Sequence, residues 1–408
     1  MIGPSDLFLA ELSSRTHIDN LTSPLLRLPH TATARVMAGD QEDAIEPRGG
    51  DSSRSSDFEL DDTYSVESSV TQYRIENGRR YHAYKDGIYW APNDERQNEN
   101  LDISHHKYLL ILEGKLTAAP IERDIERCLD VGTGTGIWAI DFADEHPQTT
   151  VIGTDLSPIQ PDSVPPNCRF EIDDCRDPWT FPIKYFDFVH IRALLGSIDS
   201  WGNLYAQVYK HLKPGGYIEH IEGSIWIKSD DGTLTPDSPV VRFCKLYEEA
   251  GAVTGQTFQV AEIIRENLER AGFVNIVEKV IKTPIGGWPV DPRLRELGQW
   301  TLLAFLSGLE GYALATLTRV LDWSLNEVHV FLCVPRFEEP RFPQSHRTQN
   351  ISDDGTQGTS KTGDQGPTST FLSRGTSCLR PEARISSMNV RSSNDEYLLP
   401  SMAVLSAL

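Results

Sequence analysis

Positive charge is in short supply in this sequence relative to negative. It sets 38 Lys and Arg against 59 Asp and Glu, a net of -21. Such a surface repels phosphate backbones, so no direct nucleic-acid partner is expected. The densest basic stretch, "ENGRR" over Glu76–Arg80, is short. Cysteine is sparse too: Cys128, Cys168, Cys175, Cys244, Cys333 and Cys378 stand apart, with no CxxC or CxH spacing. That scatter argues against a disulfide framework or a zinc site and for the reduced thiols of an intracellular protein. Long hydrophobic runs are missing as well. The opening "MIGPSDLFLAEL" has no basic segment ahead of an apolar one, and no run reads as nearing the roughly 20 residues that span a bilayer. The expectation is a protein of the cytoplasm, the nucleus or both, without a membrane partner.

Apolar periodicity is concentrated between about Tyr64 and Val334, and Ser, Gly, Asp and Pro crowd both ends. Residues 1–63 and 337–408 therefore read as disordered tails. Residues 64–120 are aromatic and helical in flavour, with Leu101, His105 and the stretch from Tyr108 to Leu112 suiting one buried helical face. From Ile121 strands and helices alternate. "RCLDV", "TTVIGTD", "CRFEIDD", "YFDFVHIR", "GYIEHIEGSIWI" and "VNIVEKVIKTPI" read as strands, while "GIWAIDFADEH" and "VAEIIRENLERAGF" read as helices. The helix through Trp201, Leu204, Tyr205, Val208 and Leu212 stops at "KPGG". Alternation at this period predicts an α/β fold over residues 121–336, a mostly parallel sheet with helices on both faces and a helical extension from about 287.

In such a sheet, ligands bind beyond the carboxyl ends of the strands. Gly132, Gly134 and Gly136 fall there, between the first strand and the first helix of the alternation. Their GxGxG spacing lacks the final glycine of a dinucleotide loop, because Ile137 takes its place. Asp130 adds a carboxylate that would repel a pyrophosphate yet attract a cation. The ligand these features favour is a nucleoside with a cationic arm, S-adenosylmethionine. A nicotinamide dehydrogenase is the competing reading. Asp155 ends the second strand about 20 residues past the first glycine, where an acid grips ribose hydroxyls; it would equally serve as a helix cap. Asp173 and Asp174 end the third strand, and either could accept the adenine amino group while the Cys175 amide meets a ring nitrogen.

"LDVGTGTGIWAID", "VIGTDLSPIQP", "FEIDD", "FDFVHIR" and "LKPGG" together resemble a class I S-adenosylmethionine-dependent methyltransferase. The upstream block "YRIENGRRYHAYKDGIYWAPNDERQNENLDISHH" is similar to the fungal LaeA-like group, related to a regulator of secondary metabolism. The resemblance implies a Rossmann-like sheet, an N-terminal helical lid and cofactor contacts at Asp130, Gly132, Gly134 and Gly136. It further implies a ribose contact at Asp155 with Leu156 beside it, an adenine contact at Asp174 with Asp173 nearby, and Tyr81 and His82 brought close to the pocket. It also implies a last, antiparallel strand. Pro335, Pro340 and Pro343 stand where that strand is due, so it reads as missing, with Val328–Val334 the candidate substitute.

On the acceptor side, His190, Arg192 and Ser197 lie at or past the fourth strand. His190 is a candidate base or a packed strand residue, and Arg192 could hold an acceptor carboxylate or pair with a surface acid. Glu219, His220 and Glu222 have metal-ligand chemistry, but strand alternation parts Glu219 from the other two, so no metal is expected. Trp288, Trp300, Phe305, Tyr312 and Trp323 suit packing or an acceptor pocket. Methyl transfer to a small molecule or a protein is the activity anticipated; the alternative is a cofactor-binding subunit of a regulatory protein complex.

Overall fold

The computed structural model describes residues 70–121, 125–230 and 234–333, and the backbone of 369–379. The tails read as disordered lie otherwise outside the described residues, as do the three prolines. The described chain opens on a hairpin, β1 (Arg74–Glu76) and β2 (Arg79–Tyr81), where helix was expected. Its turn, Asn77-Gly78, has φ of 50° and 77°; a tight hairpin turn with both φ positive favours Asn-Gly, a signal in "ENGRR" that charge alone obscured. Helix α1 (Glu95–Ile111) follows, its first turn capped by Asp94, which accepts the Gln97 N–H at 3.0 Å.

Then come β3 (Arg127–Val131), α2 (Ile137–Glu145), β4 (Thr150–Asp155), β5 (Cys168–Ile172), β6 (Phe186–Arg192), α3 (Trp201–His211), β7 (Leu212–Gly223) and the short β8 (Lys228–Ser229). The chain continues through α4 (Pro239–Thr254), α5 (Ile264–Arg270), β9 (Val274–Pro284), α6 (Pro292–Ala315) and α7 (Leu325–Cys333), and the last described element is β10 (Ser369–Leu379). The sheet runs β5-β4-β3-β6-β7-β10, with β8 and β9 both paired to β10. Strands β3 to β7 are parallel and β10 is antiparallel to its neighbours.

Two expectations are corrected here. The last antiparallel strand is present, inside the stretch read as a tail, and Val328–Val334 does not replace it, since Leu325–Cys333 is the helix α7. "STFLSRGTSCL" is too rich in Ser, Thr and Gly to announce a core strand. Its backbone is nevertheless flanked by β7 (Ser373 opposite Gly223) and β9 (Phe371 opposite Thr283), and ladder hydrogen bonds on both sides do not depend on side-chain composition. Secondly, α6 continues through a π-helical turn, Thr316–Val320, so Pro292–Val320 is a 29-residue helix long and apolar enough to cross a membrane by length and composition. Half of its most apolar window is buried within the protein. It packs on α1, where Asn100 Nδ2 donates to Ala304 O at 2.6 Å and Tyr312 OH donates to Asn100 Oδ1 at 2.7 Å.

Alternation along the strands divides the core between the two faces of the sheet. Leu129, Val131, Ile152, Val189 and Ile191 pack against Leu204 and Val208 of α3 and Leu268 of α5. Cys128, Val151 and Phe188 pack against Trp138 and Phe142 of α2. Both layers are buried, which leaves the carboxyl ends of β3 to β6 as the open edge.

Candidate functional site

The glycine loop, the acids after β4 and β5, and the chain after β6 meet at one cavity on that edge. Its wall includes Asp130, Gly132, Gly134, Asp155, Leu156, Asp173, Asp174, Cys175, Arg192 and Ser197, all singled out from the sequence. Gly136 stands behind it as the first-turn boundary of α2, and His190 lies off the wall.

The loop is shaped by its backbone. Gly132, Gly134 and Gly136 have φ of 69°, 60° and 80°, the left-handed region that only glycine enters freely. A Cβ would come within 2.4 Å of Leu194 at Gly132 and of Phe170 at Gly136, whereas at Gly134 it would meet only Leu101, at 3.3 Å. The Gly132 and Thr133 amides both donate to Thr154 O at 2.9 Å, and the Gly134 amide donates to Asp155 Oδ2 at 2.8 Å, so the loop and the tip of β4 form one wall. Asp130 braces the loop from below. Its carboxylate accepts Thr133 Oγ1–H at 2.6 Å on one oxygen, and the other lies 2.8 Å from His190 Nδ1, the residue opposite it in the β3–β6 register.

His190 is stacked flat on Trp138, with ring centroids 3.7 Å apart. Burial pushes its imidazolium down to about 4, against the pull of Asp130, so at neutral pH the ring is uncharged and directs an Nδ1–H at the carboxylate. Placed off the cavity with its free nitrogen buried, it braces Asp130 and is not positioned as a base.

Asp155 also accepts the Ser157 amide at 2.9 Å. Burial nevertheless raises its carboxyl to about 6, because three neutral backbone donors, the Ser157, Gly134 and Leu156 amides, do not repay the loss of water. Asp174 is the opposite case. Burial works against its charge, but Arg176 grips it side-on at 2.9 and 2.8 Å and Lys85 Nζ reaches it at 2.8 Å, which holds it near 2. Its oxygens are thus engaged by protein cations, while Asp173, half-buried and raised by burial, accepts only the Asp174 amide among the described side-chain contacts.

Lys85 also reaches Asp177 at 2.5 Å, tying the upstream segment to the end of β5. Asn93 Nδ2 donates to Ser157 Oγ and Trp90 Nε1 to Leu195 O, at 3.2 and 2.9 Å, so that segment spans the cavity mouth from β4 to β6. It lines the cavity with Ile88, Tyr89, Pro92 and Asn93. Tyr81 and His82, expected at the pocket, are buried behind it: Arg319 sits over the Tyr81 ring at 4.3 Å, and His82 Nε2 lies 3.3 Å from Lys85 O. The aromatic text marked this block, but which aromatics turn inward follows from a loop path that spacing does not encode. His105 and Tyr108 of α1 were read as helix packing and also line the cavity.

At the β6 end, Arg192 Nη2 donates to His105 Nδ1 at 3.1 Å, and His105 Nε2 lies 2.9 Å from Asp141. Glu219 faces away from the other two candidate ligands and accepts from Thr117 Oγ1 and the Ala118 and Ala119 amides at 2.7–2.9 Å. His220 Nε2 lies 3.3 Å from Glu222 Oε1 on the opposite face. Among the described residues no His, Cys, Asp and Glu cluster suits a metal ion. Trp288, Trp300, Phe305, Tyr312 and Trp323 do not line the cavity; Phe305, Tyr312 and Trp323 pack with α4 and Trp300 against His106.

This edge offers bare backbone and four carboxylates, Asp130, Asp155, Asp173 and Asp174, around one recess, while Arg176 on its wall pairs with Asp174 and Lys85 pairs with Asp174 and Asp177. That suits a positively charged adenosyl ligand and disfavours a pyrophosphate. A family described as a methyltransferase domain matches residues 103–278. The chain is 42% identical over 267 residues to the methyltransferase pytC of Aspergillus terreus, covering 65% of this chain and 82% of that protein. It is 41% identical over 257 residues to the secondary metabolism regulator LAE1 of Cochliobolus heterostrophus, covering 62% and 84%. Over 271 residues it is 34% identical to the protein-methionine methyltransferase laeA of Emericella nidulans, covering 65% and 71%. With the strand order, the glycine loop and relatives of this identity in agreement, the chain belongs to the class I S-adenosylmethionine-dependent methyltransferases.

Proposed function

We propose that this protein transfers a methyl group from S-adenosylmethionine to a small-molecule or protein acceptor, as a LaeA-like enzyme linked to fungal secondary metabolism. The observation that carries this reading is the convergence of the left-handed glycine loop, Asp155 and Asp173 on one covered recess. Bound there, the cofactor supplies a methyl group activated on a sulfonium. The Gly134 wall would carry the methionyl arm past Asp130, Asp155 would take the ribose hydroxyls on its remaining lone pairs, and Asp173 with the Cys175 amide would read the adenine edge. Asp174 acts instead through Lys85, holding the lid that excludes water. Such a displacement needs alignment more than acid–base help, and orientation supplies roughly 7–11 kcal/mol in favourable cases.

A second reading, cofactor binding in service of a protein complex with little turnover, is favoured by the regulator names of two groups of relatives. Incubation with methyl-labelled cofactor and a fractionated lysate separates the two. Transfer of label to a discrete product supports the enzyme, and tight S-adenosylhomocysteine binding with no labelled product supports the subunit. Failure to bind S-adenosylhomocysteine, with retention of NADH, would defeat both.

A further inference from the structure

The strand order gives the cavity a direction. The adenine acids end β5, the ribose acid ends β4 and the glycine loop ends β3, so β6, next in the sheet, stands beyond the sulfonium end. Arg192 is the last residue of β6 and lines the cavity there. Among the described residues it pairs with no carboxylate: its contacts are His105 Nδ1 and the face of the Tyr108 ring, 4.9 Å from the guanidinium. The same ring has Lys107 Nζ 4.4 Å from its centroid, so two cations share one aromatic side chain. Glu222, on the opposite face of β7, is occupied by the Leu194 amide at 2.5 Å and does not line the cavity. A guanidinium is a fork built for a planar two-oxygen anion, and this one has no carboxylate in direct contact, with Asp130, Glu219 and Asp141 acting on it only from further away.

Bases are scarce at that end. His190 is buried off the wall, and of the two His105 nitrogens Nδ1 accepts from Arg192 while Nε2 meets Asp141. An acceptor that must lose a proton as it is methylated would find no open base among the described side chains at this end. An acceptor that arrives as an anion needs none.

Building on the methyltransferase reading, we propose that the acceptor is a carboxylic acid, bound as its carboxylate by Arg192 and methylated on oxygen to give a methyl ester. A carboxylate oxygen forms the new O–CH3 bond as the S–CH3 bond breaks, the electron pair of that bond stays on sulfur as the neutral thioether, and no proton is transferred. His105 is a positioning residue here, holding the guanidinium through Nδ1 while Asp141 anchors its other nitrogen.

The test uses the full-length protein, methyl-tritiated S-adenosylmethionine and a total extract of the organism that encodes it. The label incorporated is expected to be released as volatile methanol by mild alkali, and to be lost when extract carboxylates are first amidated with a carbodiimide. Arg192→Gln should raise the acceptor KM about 10- to 100-fold, as expected for losing a hydrogen-bonded charge, with the S-adenosylhomocysteine Kd unchanged; Arg192→Lys should fall between. Alkali-stable label overturns the proposal. So does an Arg192→Gln variant that loses affinity for S-adenosylhomocysteine but not for 5′-methylthioadenosine, because the cation would then serve the cofactor's own carboxylate. S-adenosylhomocysteine binding without any labelled product would instead defeat the enzyme reading on which the proposal rests.

Discussion

Gly134 and Gly136 lie two residues apart in one loop, and both hold left-handed φ angles, 60° and 80°. Alanine at either position therefore incurs the same kind of backbone strain, about 1–2 kcal/mol. Their surroundings differ. At Gly136 the new methyl would stand 2.4 Å from Phe170 Cζ, a ring packed in the α2 layer, and overpacking of that kind costs a further 1–3 kcal/mol or so. At Gly134 the nearest atom is a Leu101 methyl at 3.3 Å, which a small rotation relieves. Gly136→Ala should thus lose about 2–5 kcal/mol of stability and Gly134→Ala about 1–2 kcal/mol. Binding should rank the other way relative to stability, because only Gly134 walls the cavity. Urea titrations with matched m-values, paired with calorimetric titration of S-adenosylhomocysteine into the folded variants, measure both quantities. Equal stability losses, or a Gly134→Ala protein that binds with unchanged affinity, would refute this account of the loop.

Asp155, raised by burial to about 6, should take up a proton as the pH falls from 7 to 5. Its folded-state value lies above its ordinary one, so folding gains stability as the pH drops through 6, whereas S-adenosylhomocysteine affinity weakens over the same window; Asp155→Asn should flatten both trends, and a variant that keeps the wild-type pH profile would remove Asp155 from the site. Lys85→Ala should cost at most about 1 kcal/mol, since the lysine is partly exposed and its pairs are screened. It should nonetheless speed amide exchange across residues 80–93, and unchanged exchange would show that Lys85 does not hold the lid. Glu219→Ala orphans two donors, the Thr117 hydroxyl and the Ala118 amide, leaves the Ala119 amide with Thr117 Oγ1 alone, and should destabilise by about 1–3 kcal/mol, with Glu219→Gln milder in urea melts. Burial raises Glu219 to about 6, so the Gln variant should also remove the part of the stability that declines between pH 5 and 7; identical pH dependence in both proteins would contradict this.

Whatever depends on neighbours along the chain was legible before the fold was known. The alternating apolar runs mark β3 to β7 and the helices between them, because burial on two faces imposes its period on the local text. The glycine spacing marks a loop of left-handed backbone, and the order Asp130, Asp155, Asp173 follows from strands that each end at the same edge. What depends on partners far away in sequence was settled only by tertiary structure. Lys85 meets Asp174 across 89 residues, a pairing that local text does not announce. His190 faces Asp130 across the β3–β6 register, which makes it a brace. Strand β10 is the clearest case: its Ser-rich text carries no core signature, yet the space between β7 and β9 supplies hydrogen-bonding partners on both sides. Periodicity reports which side of an element is buried, whereas contacts report what it is buried against, and only the second tells a ligand from a support.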